Sequence, residues 1–95
     1  MHLHHYLVCY DIADPRRLGR VGRLSRKEGI PFQYSVVYLQ CDEAALDSFL
    51  ERLEHLIDPA EDDVRAYRIT SPRTIRFLGE PILPEGLHGE WKEHY

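Results

Sequence analysis

Apolar and polar residues follow two different periods along this chain, and the change from one to the other marks its elements. From Tyr6 to Ile12 the residues suit a strand that is apolar on both faces: Leu7 and Cys9 share one face with Asp11, while Tyr6, Val8, Tyr10 and Ile12 share the other. A strand of that kind is expected to be covered on both sides, which puts the Asp11 carboxylate at the edge of a buried region. An ionised carboxylate there needs a partner. The candidates are a backbone N–H at the start of the next helix, an arginine from that helix, or a divalent metal. Asp14-Pro15 then predicts a helix start, with Asp14 as the N-cap and Pro15 at the first helical position. This helix should run to about Glu28 and stop at Gly29. Its spacing places Arg16, Arg20, Arg23 and Lys27 on one face and Leu18, Val21 and Ser25 on the opposite one. Gly19 and Gly22 each weaken it by roughly 1 kcal/mol relative to Ala, as if something approaches its backbone closely.

Period two returns from Ile30 to Cys41, where Phe32, Tyr34, Val36, Tyr38 and Gln40 alternate with Gln33, Ser35, Val37, Leu39 and Cys41. No Gly or Asn turn interrupts the run, so periodicity alone predicts one long strand. Asp42 caps a second helix whose stripe of Leu46, Phe49, Leu50, Leu53 and Ile57 is core, and Asp58-Pro59 should end it. Glu61-Asp62-Asp63 reads as a solvated acidic turn, since it lacks calcium-loop spacing, and Val64–Ile69 as a further strand. Thr74 to Leu78 forms a short edge strand in this reading. The domain is thus residues 1–78. Residues 79–95, with Pro81, Pro84 and the isolated Trp91 and Tyr95, make a tail that lies over the domain or docks on a partner or a second copy.

Composition adds three constraints. At 95 residues, with 43% hydrophobic and 29% charged, the chain supports one ordinary globular core, near the size at which an oligomer partner adds useful burial. The net charge of −4 argues against a general nucleic-acid coat, yet half of the 12 Lys and Arg residues fall in one helix, as Arg16, Arg17, Arg20, Arg23, Arg26 and Lys27. A surface that lopsided points to phosphate. The two cysteines, Cys9 and Cys41, have no zinc spacing and read as buried, reduced thiols. With no membrane-length apolar run and no signal-like start, the expectation is a soluble cytoplasmic protein. His2, His4 and His5 stand at a terminus and are not assigned to a metal.

With Ile30–Cys41 counted as two strands, the order of elements is that of an α+β ferredoxin-like βαββαβ sandwich, both helices on one face of an antiparallel sheet, with a short extra C-terminal strand. The face left bare would carry Tyr, Phe and Val residues, which favours a two-fold dimer. Tyr10-Asp11-Ile12, then Asp14 with Arg16-Arg17, Gly29, Phe32-Gln33-Tyr34-Ser35-Val36, and finally Leu56-Ile57-Asp58 ahead of Asp63-Val64-Arg65-Ala66-Tyr67 resemble the small CRISPR-associated proteins of the second universal Cas family. The resemblance spans about residues 6 to 70. It implies that Ile30–Cys41 is two strands meeting near Tyr34 and Ser35. It also implies a homodimer that acts as a metal-dependent nuclease on single-stranded RNA or duplex DNA, and that serves as the central scaffold beside the CRISPR integrase subunit.

By the same resemblance Asp11 is the catalytic and metal-binding aspartate. Mg2+ takes near-octahedral oxygen ligands, so one carboxylate is too few, and an ion shared between the two Asp11 of a dimer is implied. Arg16 and Arg17, with Arg20, Arg23 and Lys27 along the helix, are the expected nucleic-acid-binding residues, and Gln33 and Ser35 are placed to orient the scissile group. The tail and last strand are the expected integrase-docking surface, by edge pairing. Two other readings stand beside this one. The first keeps dimer and DNA but removes the chemistry: a structural scaffold bridging integrase subunits and prespacer DNA. The second is an unrelated ferredoxin-like regulatory domain with a small molecule on its sheet.

Overall fold

The computed structural model describes residues 2–76 and Leu78. Strand β1 (His4–Asp11) leads to helix α1 (Pro15–Glu28), then to β2 (Ile30–Gln33), β3 (Val36–Cys41), helix α2 (Glu43–Glu54) and β4 (Asp63–Ile69). The sheet order is β2-β3-β1-β4, and all three pairings are antiparallel. This is the ferredoxin-like α+β sandwich expected from the sequence. The 3-10 turn Pro72–Thr74 opens the segment read as a short C-terminal strand, and no strand follows β4 among the described residues. Residues 79–95, including Trp91 and Tyr95, lie outside the described residues. No helix among the described residues is long and apolar enough to cross a membrane.

Local chemistry explains where each helix begins. One Asp14 carboxylate oxygen accepts from the backbone N–H groups of Arg16 and Arg17, both at 3.0 Å, with Pro15 at the first turn. Asp42 caps α2 by accepting from Ala45 N–H at 2.8 Å. At the end of α1, Gly29 is extended, with φ of −147°, a value open to any residue. Glycine is needed there for space: a Cβ would stand 2.5 Å from the Tyr38 carbonyl oxygen. Helix α2 stops at Glu54, before the expected Asp58-Pro59. The chain turns through Leu56 N–H to Leu53 C=O at 2.9 Å, and Asp58 then organises a second turn by accepting from Glu61 and Asp62 N–H.

The core is one face of the sheet under both helices. Tyr6, Val8 and Tyr10 from β1 and Val37 and Leu39 from β3 meet Val21 of α1 and Leu46, Phe49 and Leu53 of α2. Leu50 and Ile57 are partly buried against this cluster. Of the predicted apolar face of α1, Val21 and Ser25 are buried, but Leu18 is exposed. The opposite face of β1 departs from the expectation of full cover: Leu7 and Cys9 are only half-buried and Asp11 is exposed. Burial on that face concentrates toward β2, where Phe32 stacks on Tyr38 and Tyr38 stacks on His5. The single long strand that periodicity suggested is broken at Tyr34-Ser35. There β2 turns back to pair antiparallel with β3, as the family resemblance implied, and the pairing carries a bulge between Pro31 and Gln33.

Candidate nucleic-acid interface and carboxylate site

Asp11 is the last residue of β1, and its register partner in β4 is Asp63. Two carboxylates therefore lie side by side on adjacent strands, on the face away from the helices. Asp63 is balanced by the Arg65 Nε, 3.0 Å from its Oδ2. The Asp11 side chain is exposed and has no hydrogen bond or ion pair among the described residues. Neither the helix start nor an arginine of α1 supplies the partner that sequence reasoning sought. Asp63 was hidden in what read as a solvated acidic turn. In a sheet where β4 runs antiparallel to β1, however, the start of β4 must lie beside the end of β1.

The neighbouring acid, Asp62, is used differently. Its side chain is fully enclosed: it accepts from Arg17 Nε at 2.8 Å, Arg17 Nη2 at 3.2 Å, Ala13 N–H at 2.9 Å and Asp58 N–H at 2.8 Å. Glu61 adds a second, more exposed contact to Arg17 at 3.3 Å. The Arg17 guanidinium holds the Asp62 carboxyl well below the usual carboxylate range; burial opposes this, and the Asp58 and Ala13 amides assist it. In return Asp62 pushes Arg17 above its ordinary value. This clamp joins the β1–α1 connection to the α2–β4 connection, just beyond the strand ends that carry Asp11 and Asp63. Arg17 is thus engaged within the fold, and the part of the acidic turn read as solvated is a buried anchor.

Arg16, Arg20, Arg23, Arg26 and Lys27 are exposed on α1 and form no ion pair among the described residues. Glu28, the acid that ends the helix, is held by Arg52 at 2.6 Å. The Arg26 guanidinium folds back over Gly22, where an added Cβ would meet it at 3.0 Å, and the Arg23 guanidinium stands 3.4 Å from the same point on Gly19. The helix glycines are therefore covered by arginine side chains. Gln33 is exposed next to the β2–β3 turn, and the Ser35 carbonyl accepts from Tyr10 N–H at 3.0 Å, so this turn sits directly beside the residue before Asp11.

The donor set tests the fit of a metal. Among the described residues no group of three His, Cys, Asp or Glu side chains is arranged to hold an ion. One chain offers Asp11 and, beside it, Asp63, which is short of the oxygen set that Mg2+ takes. His4 Nδ1 lies 2.9 Å from Arg68 Nη2, and His5 Nδ1 lies 2.7 Å from the Tyr38 hydroxyl, at the far end of β1 from Asp11. Cys9 and Cys41 are free and half-buried, and burial pushes both thiols up, away from nucleophilic use.

Fold and site together define a small ferredoxin-like protein that sets a strand-end carboxylate, without a partner among the described residues, beside a basic helix. The family model for CRISPR associated protein Cas2 matches residues 4–75, and the chain belongs to that family. It is 40% identical over 82 residues to CRISPR-associated endoribonuclease Cas2 1 of Nitrosomonas europaea, an alignment covering 86% of this chain and 78% of the relative. It is 39% identical to CRISPR-associated endoribonuclease Cas2 2 of Thermodesulfovibrio yellowstonii, covering 86% and 91%. Among solved structures, Streptococcus pyogenes Cas2 superposes with a TM-score of 0.72 at 29% identity, covering 79% of this chain and 99% of that one. A hypothetical protein from Thermus thermophilus superposes with a TM-score of 0.77 at 31% identity, covering 88% and 100%.

Proposed function

We propose that this chain is a CRISPR adaptation subunit that binds DNA as a homodimer and carries Mg2+-dependent phosphodiesterase activity at Asp11, on single-stranded RNA or duplex DNA. The observation that supports this reading is the segregation of charge: an exposed carboxylate without a partner among the described residues ends β1, next to a helix that presents five exposed cations and no acid before Glu28, its last residue. The endoribonuclease names of the relatives from Nitrosomonas europaea and Thermodesulfovibrio yellowstonii support the nuclease class. When bound, Mg2+ supplies Lewis-acid polarisation of a phosphoryl oxygen. Asp11 from each of two copies would hold the ion, since one chain by itself is short of the oxygen ligands that Mg2+ takes. Arg16, Arg20, Arg23 and Lys27 hold the backbone phosphates, and Gln33 orients the scissile group from the neighbouring turn. An integrase subunit is the expected further partner, docking at the exposed β4 edge.

The lone Asp11 in each chain also favours a second reading, in which the dimer is a structural scaffold that bridges integrase subunits and prespacer DNA while α1 tracks the duplex backbone by charge. One experiment separates the two. Labelled single-stranded RNA and duplex DNA are incubated with the purified protein in Mg2+ or chelator, alongside Asp11→Ala checked for folding and dimerisation. Metal-dependent cutting that vanishes in the variant supports the nuclease. Salt-sensitive duplex binding by both proteins, without cutting by either, leaves the scaffold.

A further inference from the structure

Tyr34 is 82% exposed, more than any other aromatic residue described as exposed, although its backbone is firmly held. The Tyr10 hydroxyl donates to the Tyr34 carbonyl at 3.2 Å, and Tyr10 N–H donates to the Ser35 carbonyl at 3.0 Å. A ring standing in water on a pinned turn gains no burial, and a two-residue turn asks for Gly, Asn, Asp or Ser, not for an aromatic. The fold therefore gives this ring no work. Its surroundings do. Tyr10, which holds the turn, is followed directly by Asp11. Tyr10 also belongs to the buried cluster that includes Val21 of α1, so the turn its hydroxyl reaches lies toward that helix.

We infer that Tyr34 is a stacking platform for one nucleobase of a single-stranded nucleic acid whose backbone phosphates lie on α1, so that Tyr34 sets the strand's position relative to Asp11. This rests on the nucleic-acid reading above and narrows it. In a duplex the base faces are already stacked and only their edges reach the grooves, so a rigid exposed ring finds a π-face only on an unpaired strand. Sequence tolerance follows as well, because every base has such a face. The net charge of −4 disfavours attraction spread over the whole surface, and leaves the exposed cations of α1 as the place where a strand's phosphates are held.

The test measures anisotropy of a labelled single-stranded RNA and a labelled duplex DNA with wild type, Tyr34→Ala and Tyr34→Phe, and sedimentation of each protein. Tyr34→Ala should weaken single-strand binding by about 5- to 150-fold, the range found for one base–aromatic stack, and leave duplex binding within about twofold. Tyr34→Phe, which keeps the ring, should match wild type on both. Equal loss in Tyr34→Phe, equal loss on duplex, or a shift in oligomeric state assigns the residue to a hydroxyl contact or to an interface between copies, and overturns the inference. Wild type binding single strands with Tyr34→Ala indistinguishable from it also overturns it, as does wild type binding duplex alone; in both cases the nucleic-acid reading stands. Wild type binding neither probe ends both.

Discussion

Two arginines one turn apart in the first half of α1, Arg17 and Arg20, should behave differently in nucleic-acid binding, although the sequence gives both the same role. Arg17 is spent on Asp62 and Glu61, whereas Arg20, one turn on, is exposed without an ion pair among the described residues. Each phosphate contact to duplex DNA adds about 0.9 to the slope of log affinity against log salt, so between 50 and 200 mM salt it costs about 3.5-fold in affinity. If all five of Arg16, Arg20, Arg23, Arg26 and Lys27 engage phosphates, one chain contributes a slope near −4.5 and a loss of about 500-fold over that range. Arg20→Gln should reduce the slope by about 0.9. Arg17→Gln should leave it unchanged while lowering thermal stability, because it strands the enclosed Asp62 carboxylate. The assay is fluorescence anisotropy of a labelled duplex at several salt concentrations, below the unfolding temperature of the weaker variant, with the folded fraction confirmed by circular dichroism. A folded Arg17→Gln whose slope falls as far as that of Arg20→Gln would refute the reasoning, since the guanidinium would then be reaching phosphate and not Asp62.

Two predictions concern the scaffold that carries the site. Gly29→Ala should cost about 1–3 kcal/mol or more, because its Cβ would press within 2.5 Å of the Tyr38 carbonyl and 2.8 Å of Val37 Cγ2, atoms fixed by the sheet. For a domain of this size that is a fall in melting temperature of roughly 5–20 °C. Gly19→Ala, which meets only Arg23 Nη1 at 3.4 Å, should instead gain up to about 1 kcal/mol; calorimetry showing Gly29→Ala no less stable than wild type would mean that β3 yields easily. Asp62 predicts an acid limb. Its carboxyl is depressed in the folded state, so its contribution is complete above the unfolded value near 3.9 and is lost as pH falls through the folded value. Melting temperature should decline from about pH 5 downward, and Asp62→Asn should show a lower and flatter limb; an unchanged slope in that variant would count against the clamp.

Much of the fold can be read locally. Asp14-Pro15 and Gly29 bound α1 as observed, Asp42 caps α2, and the Leu46, Phe49 and Leu53 stripe is core. The position of Asp11 at the end of an apolar strand was equally plain. The break at Tyr34-Ser35 carried no turn signal, and only the family resemblance anticipated it, because the bulge and the hydrogen bonds from Tyr10 that hold the turn come from β2's pairing and from β1. The cover of β1 was overestimated for a similar reason. An apolar side chain states a preference for burial, while the number of helices and the face they choose decide whether it is met.

By itself, then, the sequence determined where helices start, which stretches alternate, and that positive charge gathers on one helix, since caps, periodicity and charge spacing act between residues a few positions apart. Only the tertiary structure decided what those residues do to one another. It brought Asp62 to Arg17 across 45 positions, set Asp63 beside Asp11, left Asp11 without a partner among the described residues, and turned Tyr34 out into water. The physical reason is that an isolated segment cannot tell a solvated acid from an anchoring one. The difference lies in which donors the packing of the sheet and helices delivers to it, and in whether water is excluded once they arrive.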